Sequence, residues 1–178
     1  SVENAVSATI SLTETGTATG FAGVGAYELN DAIDFTLGAG DQNVTGDGTA
    51  GTVIISNVGG ALSGSIDGGA SGSNELQLAD QDDVTGATLS NIENITLDSG
   101  ATATMGGDQL TGSTTEVNEA SDAGATLNVN AQSTGATVDL TSLTFGGNFT
   151  SADTLNLSGD TGSETLTGSS VNDTITGG

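Results

Sequence analysis

One short figure recurs along the chain: two apolar residues separated by a single residue and bounded by glycine or aspartate. It occurs at Ile10/Leu12, Phe35/Leu37, Leu76/Leu78, Ile95/Leu97, Leu127/Val129, Val138/Leu140 and Leu155/Leu157, with Val53-Ile54-Ile55 as a continuous variant. Alternation with period two puts both members of a pair on one face of a strand. No pair is long enough to make a sheet alone, so each strand needs a stacked neighbour. About 18 residues separate Phe35/Leu37 from Val53-Ile55, 19 separate Leu76/Leu78 from Ile95/Leu97, and 17 separate Val138/Leu140 from Leu155/Leu157. An interval of this size, with short strands and glycine-rich corners, predicts an all-β chain. The expected architecture is a right-handed parallel β-solenoid (a β-helix or β-roll) with irregular loops, each strand pairing one coil away. A β-sandwich of short strands is the alternative that the same spacing can feed. The stretches 37–53 and 97–127 are less regular and read as loops that leave the coil. Helix signals are nearly absent, because Gly, Thr, Ser, Asn and Asp dominate throughout. Threonines flanking the pairs, as in Thr165-Leu166-Thr167 and Thr174-Ile175-Thr176, suit the outward face of a strand. Tyr27 and Met105 read as packing residues.

Charge narrows how such strands can be brought together. The 178 residues include 23 Asp and Glu and no Lys, Arg or His, so no side-chain salt bridge is possible. A compact chain of this kind repels itself. Its escapes are disorder, high salt or bound metal cations. Gly/Ser/Thr richness with few aromatics favours disorder, whereas the absence of proline and the regular apolar pairs favour a fold. With no Cys and no His there is no disulfide, no Cys/His zinc site, and no Ser-His-Asp or Cys-His nucleophile. Nucleic-acid binding lacks the basic residues that neutralise phosphate, and an anionic membrane surface would repel the chain. No apolar run approaches the roughly 20 residues that span a bilayer. The chain has no signal peptide or initiator Met and breaks off inside a repeat, the expectation for a mature or excised piece of a secreted protein.

The segment 159–178, GDTGSETLTGSSVNDTITGG, falls into a nine-residue register: GDTGSETLT, GSSVNDTIT, then GG. This matches the form G-G-x-G-x-D-x-U-x, with U a large aliphatic residue. In the first repeat Gly159, Gly162, Glu164 and Leu166 fall in place, and Asp160 stands where the second glycine is expected. In the second, Gly168, Asp173 and Ile175 fall in place, with Ser169 and Val171 at glycine positions. Glycines permit the tight turn, turn carbonyls and a carboxylate offer hard oxygens to a hard cation, and the aliphatic residue fills the core.

These residues resemble the RTX, or haemolysin-type calcium-binding, repeats of proteins exported by type I secretion. IDGGASGSNELQL at 66–78 looks like a degenerate repeat. VTGATLSNIENITLDSGATATMGGDQLTG at 84–112 is similar in style to the β-solenoid parts of large RTX-type surface proteins, S-layer proteins among them. The resemblance implies calcium dependence, secretion and a structural or adhesive role. It also implies that two nonapeptides make one coil, so that Asp173 faces positions 155 and 191. Position 155 is Leu, and a calcium site at Glu164 and Asp173 is therefore begun without being completed.

Further candidate metal ligands are Asp41 and Asp47 in GAGDQNVTGDG, Asp67 in IDGG, and Asp80, Asp82 and Asp83 in ADQDD, beside Asp160, Glu164 and Asp173. The plain reading of each group is a solvated acidic loop. The absence of any basic side chain brings calcium forward. The chain divides into a solenoid-like domain over 1–158, with looped insertions, and the start of a nonapeptide roll over 159–178. The expected function is a calcium-stabilised structural and assembly module of a secreted cell-surface protein, such as an S-layer, adhesin or extracellular filament. Its partners are calcium ions and either copies of itself or neighbouring repeats. An enzyme is not expected: β-helix lyases rely on a basic residue, and a two-carboxylate glycosidase lacks aromatic sugar platforms here. Ice binding is the other reading, carried by Thr102-x-Thr104, Thr165-x-Thr167 and Thr174-x-Thr176, although these pairs follow no fixed period. The sequons at Asn43, Asn94, Asn148, Asn156 and Asn172 are of the kind Thr-rich chains produce by chance.

Overall fold

The computed structural model describes residues 9–13, 16–20, 25–37, 43–46, 48, 53–55, 59–70 and 72–178. Over these the chain is all-β, with one helical turn. The first strands are β1 (Thr9–Leu12), β2 (Gly16–Thr19), β3 (Ala26–Leu29), β4 (Ile33–Thr36), β5 (Asn43–Gly46) and β6 (Val53–Ile55). Then follow β7 (Ala61–Asp67), β8 (Glu75–Leu78), β9 (Asp83–Ser90), β10 (Asn94–Leu97), β11 (Thr102–Gly106), α1 (Gly107–Leu110) and β12 (Glu116–Glu119). The last are β13 (Thr126–Asn130), β14 (Thr137–Asp139), β15 (Thr144–Phe145), β16 (Thr154–Ser158), β17 (Thr165–Thr167) and β18 (Asp173–Thr176). All the apolar figures of the sequence lie on or at the end of a strand.

Up to β13 the strands are dealt alternately into two sheets. The larger has nine strands in the order β1-β3-β5-β7-β9-β11-β13-β16-β18, and the second has seven in the order β15-β12-β10-β8-β6-β4-β2. A third, of two strands, pairs β14 with β17. Every pairing is parallel. A sandwich would instead bring antiparallel neighbours together. Parallel neighbours need a crossover, and here the crossover is the strand in the opposite sheet with its two corners.

Register measures the length of each circuit. The circuits are short at the start, where Thr9 pairs with Ala26 and Ala26 with Asn43. They lengthen further on, where Val44 pairs with Ile66 and Thr102 with Thr126. The longest runs from Thr126 to Thr154 and holds β14 in a corner. The last contracts again, with Leu155 paired to Asp173. Two sequence expectations are corrected by these registers. The interval from Val138/Leu140 to Leu155/Leu157 is not a repeat, since Val138 pairs with Leu166 and Leu155 with Leu127. The stretch 97–127 is no excursion either, because it holds β11, α1 and β12.

The core lies between the sheets. Its columns run along register: Leu76, Ile95 and Val117 in one sheet, and Met105, Val129 and Leu157 in the other, all buried. Tyr27 and Phe35 join the two inner faces, ring centroids 4.6 Å apart. Burying one such large apolar side chain contributes about 1.5–3 kcal/mol. The long strands β7 and β9 pair along most of their length, with an irregularity between Ala61 and Ser63. Their C-terminal halves meet β5 through β7, while Asp83 at the start of β9 meets Thr104 of β11. Gln109 of α1 fastens this junction, donating from Nε2 to the carbonyls of Val84 (2.7 Å) and Ala87 (2.6 Å). No helix among the described residues is long and apolar enough to cross a membrane.

Candidate metal centre

Where the chain passes from the seven-stranded to the nine-stranded sheet, successive corners stack on one another. Three acids are buried there: Asp82, Glu119 and Asp153. Each takes one amide from its own corner and one from a neighbouring circuit. Asp82 accepts from the Ala79 N–H (2.7 Å) and the Gly59 N–H (3.1 Å). Glu119 accepts from the Ala123 N–H (2.9 Å) and the Gly100 N–H (2.7 Å). Asp153 accepts from the Thr150 N–H and the Ala125 N–H, the latter at 2.7 Å. With no cationic side chain in the molecule, backbone amides take that role.

Glu119 is the most unusual of the three. Its register column is Leu78, Leu97, Glu119, and all three are 0 % exposed. A carboxylate thus occupies an inward position that leucine fills in the two preceding circuits. Burial pushes its carboxyl up, but the amides of Gly100 and Ala123, a bond with the Asp153 carboxyl and the Gly124 amide outweigh this. The group is held below the usual carboxylate range. Asp122, exposed in the same corner, accepts from the Thr150 hydroxyl at 3.0 Å. Carboxylate oxygens of Glu119, Asp122 and Asp153 lie within 4.8 Å of one another, the one such acidic trio among the described residues.

Three carboxylates form a hard-oxygen donor set of the kind calcium takes. Each carboxylate has about four acceptor positions, so the amides bound by Glu119 and Asp153 leave both with capacity toward a cation. Like charges this close otherwise repel one another.

The acids singled out from sequence are distributed differently. Asp80, Asp82 and Asp83 do not converge. Asp80 is exposed and accepts from the Thr102 N–H (3.0 Å), whereas Asp83 closes a turn with the amide and hydroxyl of Thr85 (3.0 and 2.7 Å). Asp67 accepts from the Gly69 N–H (2.9 Å) and the Asn91 side chain (2.7 Å). Asp41 and Asp47 lie outside the described residues.

In the nonapeptides, Asp160 and Glu164 form a pair. The bond with Glu164 and the Gly162 amide hold Asp160 low. Glu164 is pushed up by that same bond, by burial and by the charge of Asp160. Glu164 Oε1 is buried and makes no hydrogen bond. Asp173 instead binds Ser169, through its amide and its hydroxyl (both 2.8 Å). The trio in the corners was missed from sequence because Glu119 and Asp122 lie in one corner and Asp153 in the next, a full circuit further along the chain. EVNE offered one usable signal: an acid at the second inward position of a strand pattern where ELQL and NITL carry leucine. Comparison with protein-family models, with curated proteins and with solved structures finds no match.

Proposed function

We propose that the chain is a calcium-stabilised structural module of a secreted cell-surface protein, not an enzyme, and that its circuits are coils of a parallel β-solenoid. The observation that carries the reading is the trio Glu119–Asp122–Asp153, two of its members buried, in a molecule with no basic side chain. Calcium between these carboxylates would tie one corner to the next and relieve their repulsion. The nonapeptides after 158, similar to RTX repeats, support the same chemistry and an extracellular location, where calcium is abundant. Thermal melting tests it: saturating calcium is expected to raise Tm relative to EDTA. At 100 times Kd the stabilisation is about 2.7 kcal/mol, or roughly 5–10 °C for a chain of this size. Asp122→Asn, at an exposed position, should raise the EDTA melt by taking one charge out of the repelling trio, and shrink the calcium response. An unchanged Tm on adding calcium to the unaltered protein would sink the proposal.

A second reading, ice binding, is favoured by the register of the nine-stranded sheet. Thr102, Thr126 and Thr154 stand side by side, as do Thr104, Asn128, Asn156 and Thr174. Their uneven spacing in sequence is absorbed by corners of different length. Thermal hysteresis separates the readings: its absence leaves the structural module alone.

A further inference from the structure

The ladder between β9 and β11 breaks after its first step. The Thr104 N–H donates to the Asp82 carbonyl (2.8 Å), and Thr104 with Asp83 is the one residue pair in register between these strands. Two residues on, a parallel ladder would bring the Gly106 N–H to the Val84 carbonyl. A side-chain amide stands there instead. The Gly106 N–H donates to Gln109 Oε1 (2.7 Å), and Gln109 Nε2 donates to the carbonyls of Val84 (2.7 Å) and Ala87 (2.6 Å). Gln109 is thus a surrogate peptide unit spliced between two strands that have separated.

The opposite sheet has no such break. There β8, β10 and β12 pair in full, four residues to each ladder. Within the nine-stranded sheet β11 and β13 pair over five residues, so the gap is confined to one junction. Both strands at that junction lie inside the sheet, β9 against β7 and β11 against β13. Backbone strain collects on the same strand. Among the described residues Gln81 (φ 68°) and Asn91 (φ 52°) are the non-glycine residues with positive φ, and they bracket β9. Charge supplies the force that parts the strands. Of the 23 acids 12 precede Ser90 and 11 follow it, with no basic side chain on either side.

We propose that the nine-stranded sheet carries a seam between β9 and β11 that opens as salt is withdrawn, with the unbroken run β8-β10-β12 as its hinge and Gln109 as its latch. Repulsion between the two halves drives the opening, and the donations from Gln109 oppose it. A module built this way bends at one place and straightens as cations accumulate. The proposal goes beyond the structural-module reading, since any screening cation closes the seam and no calcium site is required.

The chain has no Cys, so spin labels can be placed on introduced pairs. Thr45→Cys with Ser133→Cys spans the seam, and Thr19→Cys with Thr144→Cys spans the seven-stranded sheet, all four positions being exposed. Double electron–electron resonance in EDTA should show a longer Thr45–Ser133 population at about 0.01 M NaCl. That population should vanish toward 1 M, as the screening length falls from about 30 to about 3 Å. The Thr19–Thr144 distance, on the hinge side, should not lengthen. Gln109→Met removes the hydrogen bonds without adding charge, and Gln109→Glu keeps only the acceptor. Each should raise the wide population about tenfold at a given salt while keeping the circular dichroism spectrum. A Thr45–Ser133 distance indifferent to salt, a distance equal in both variants and the parent, or both pairs lengthening together would overturn the proposal. Should neither variant fold, the salt series with Gln109 in place decides by itself. A Tm unresponsive to calcium would remove the calcium reading and leave this one standing.

Discussion

A buried carboxylate in a protein without basic side chains is answered only by amides, hydroxyls and metal ions. Glu119 depends on the first of these. Glu119→Leu restores the aliphatic column of Leu78 and Leu97 but strands the N–H groups of Gly100 and Ala123. Each released amide costs about 1–3 kcal/mol, so urea unfolding should show a net loss despite the better hydrophobic match. Glu119 and Glu164 also respond to pH with opposite signs. The folded pKa of Glu119 is lowered from 4.5, so its contribution is present above that value and disappears as pH falls through the folded one. The folded pKa of Glu164 is raised from 4.5, so its contribution is present below that value and disappears as pH rises through the folded one. Glu164→Gln, which cannot charge against Asp160, should therefore raise Tm at neutral pH and flatten the Tm profile above about pH 4.5. A lower neutral-pH Tm for this variant would show that the pair is held by something other than a shared proton. Asp80, Asp82 and Asp83 cluster along the chain, and along the chain is where clustering carries least information here. They diverge into three separate hydrogen-bonding tasks.

Strands and corners show why. A short strand sends alternate side chains to opposite faces, and this much was readable from Leu76/Leu78 or Leu127/Val129. What the apolar pairs do not carry is which strand lies beside which. That is decided by corners of unequal length, so that one circuit ends at Ala26 after starting at Thr9, while another runs all the way from Thr126 to Thr154. The close approach of α1 to β14 is one such decision. A Cβ on Gly107 would lie 2.4 Å from Val138 Cγ2, whereas a Cβ on Gly147 would meet nothing within 4 Å. Gly107→Ala should cost about 1–3 kcal/mol and Gly147→Ala close to nothing, as measured by urea midpoints. Leu127→Ala, which opens a hole between Ala103 and Leu155 in the core column, should cost about 2–5 kcal/mol.

In the molecule taken whole, charge and topology make two further demands. Ordinary proteins gain and lose when salt screens attractive and repulsive pairs together. Here the side chains offer only repulsion, so Tm should rise steadily with NaCl even in EDTA. A flat or falling profile would show that the carboxylates are already neutralised. Each circuit pairs only with its neighbours, which makes stability close to a sum of local terms and unfolding a matter of ends. Hydrogen exchange should be slowest in the columns around β11, β13 and β16 and fastest at β18, whose side chains are half-buried or exposed.

Sequence by itself determined the strand character, the inward residues, the absence of side-chain ion pairs and the nine-residue register of 159–178; that Asp173 lies beside Leu155 is a pairing of the structure. These follow from local alternation, composition and a short repeat, which need no knowledge of distant neighbours. Tertiary structure alone decided the strand registers, the third sheet, the corner positions of Asp82, Glu119 and Asp153, and the exposed Ile175 at the end of a filled column. The physical reason is that parallel pairing joins residues one whole circuit apart, and the circuits differ in length, as Thr9 with Ala26 and Thr126 with Thr154 show. Nothing in a short apolar pair specifies how much chain the intervening corners consume.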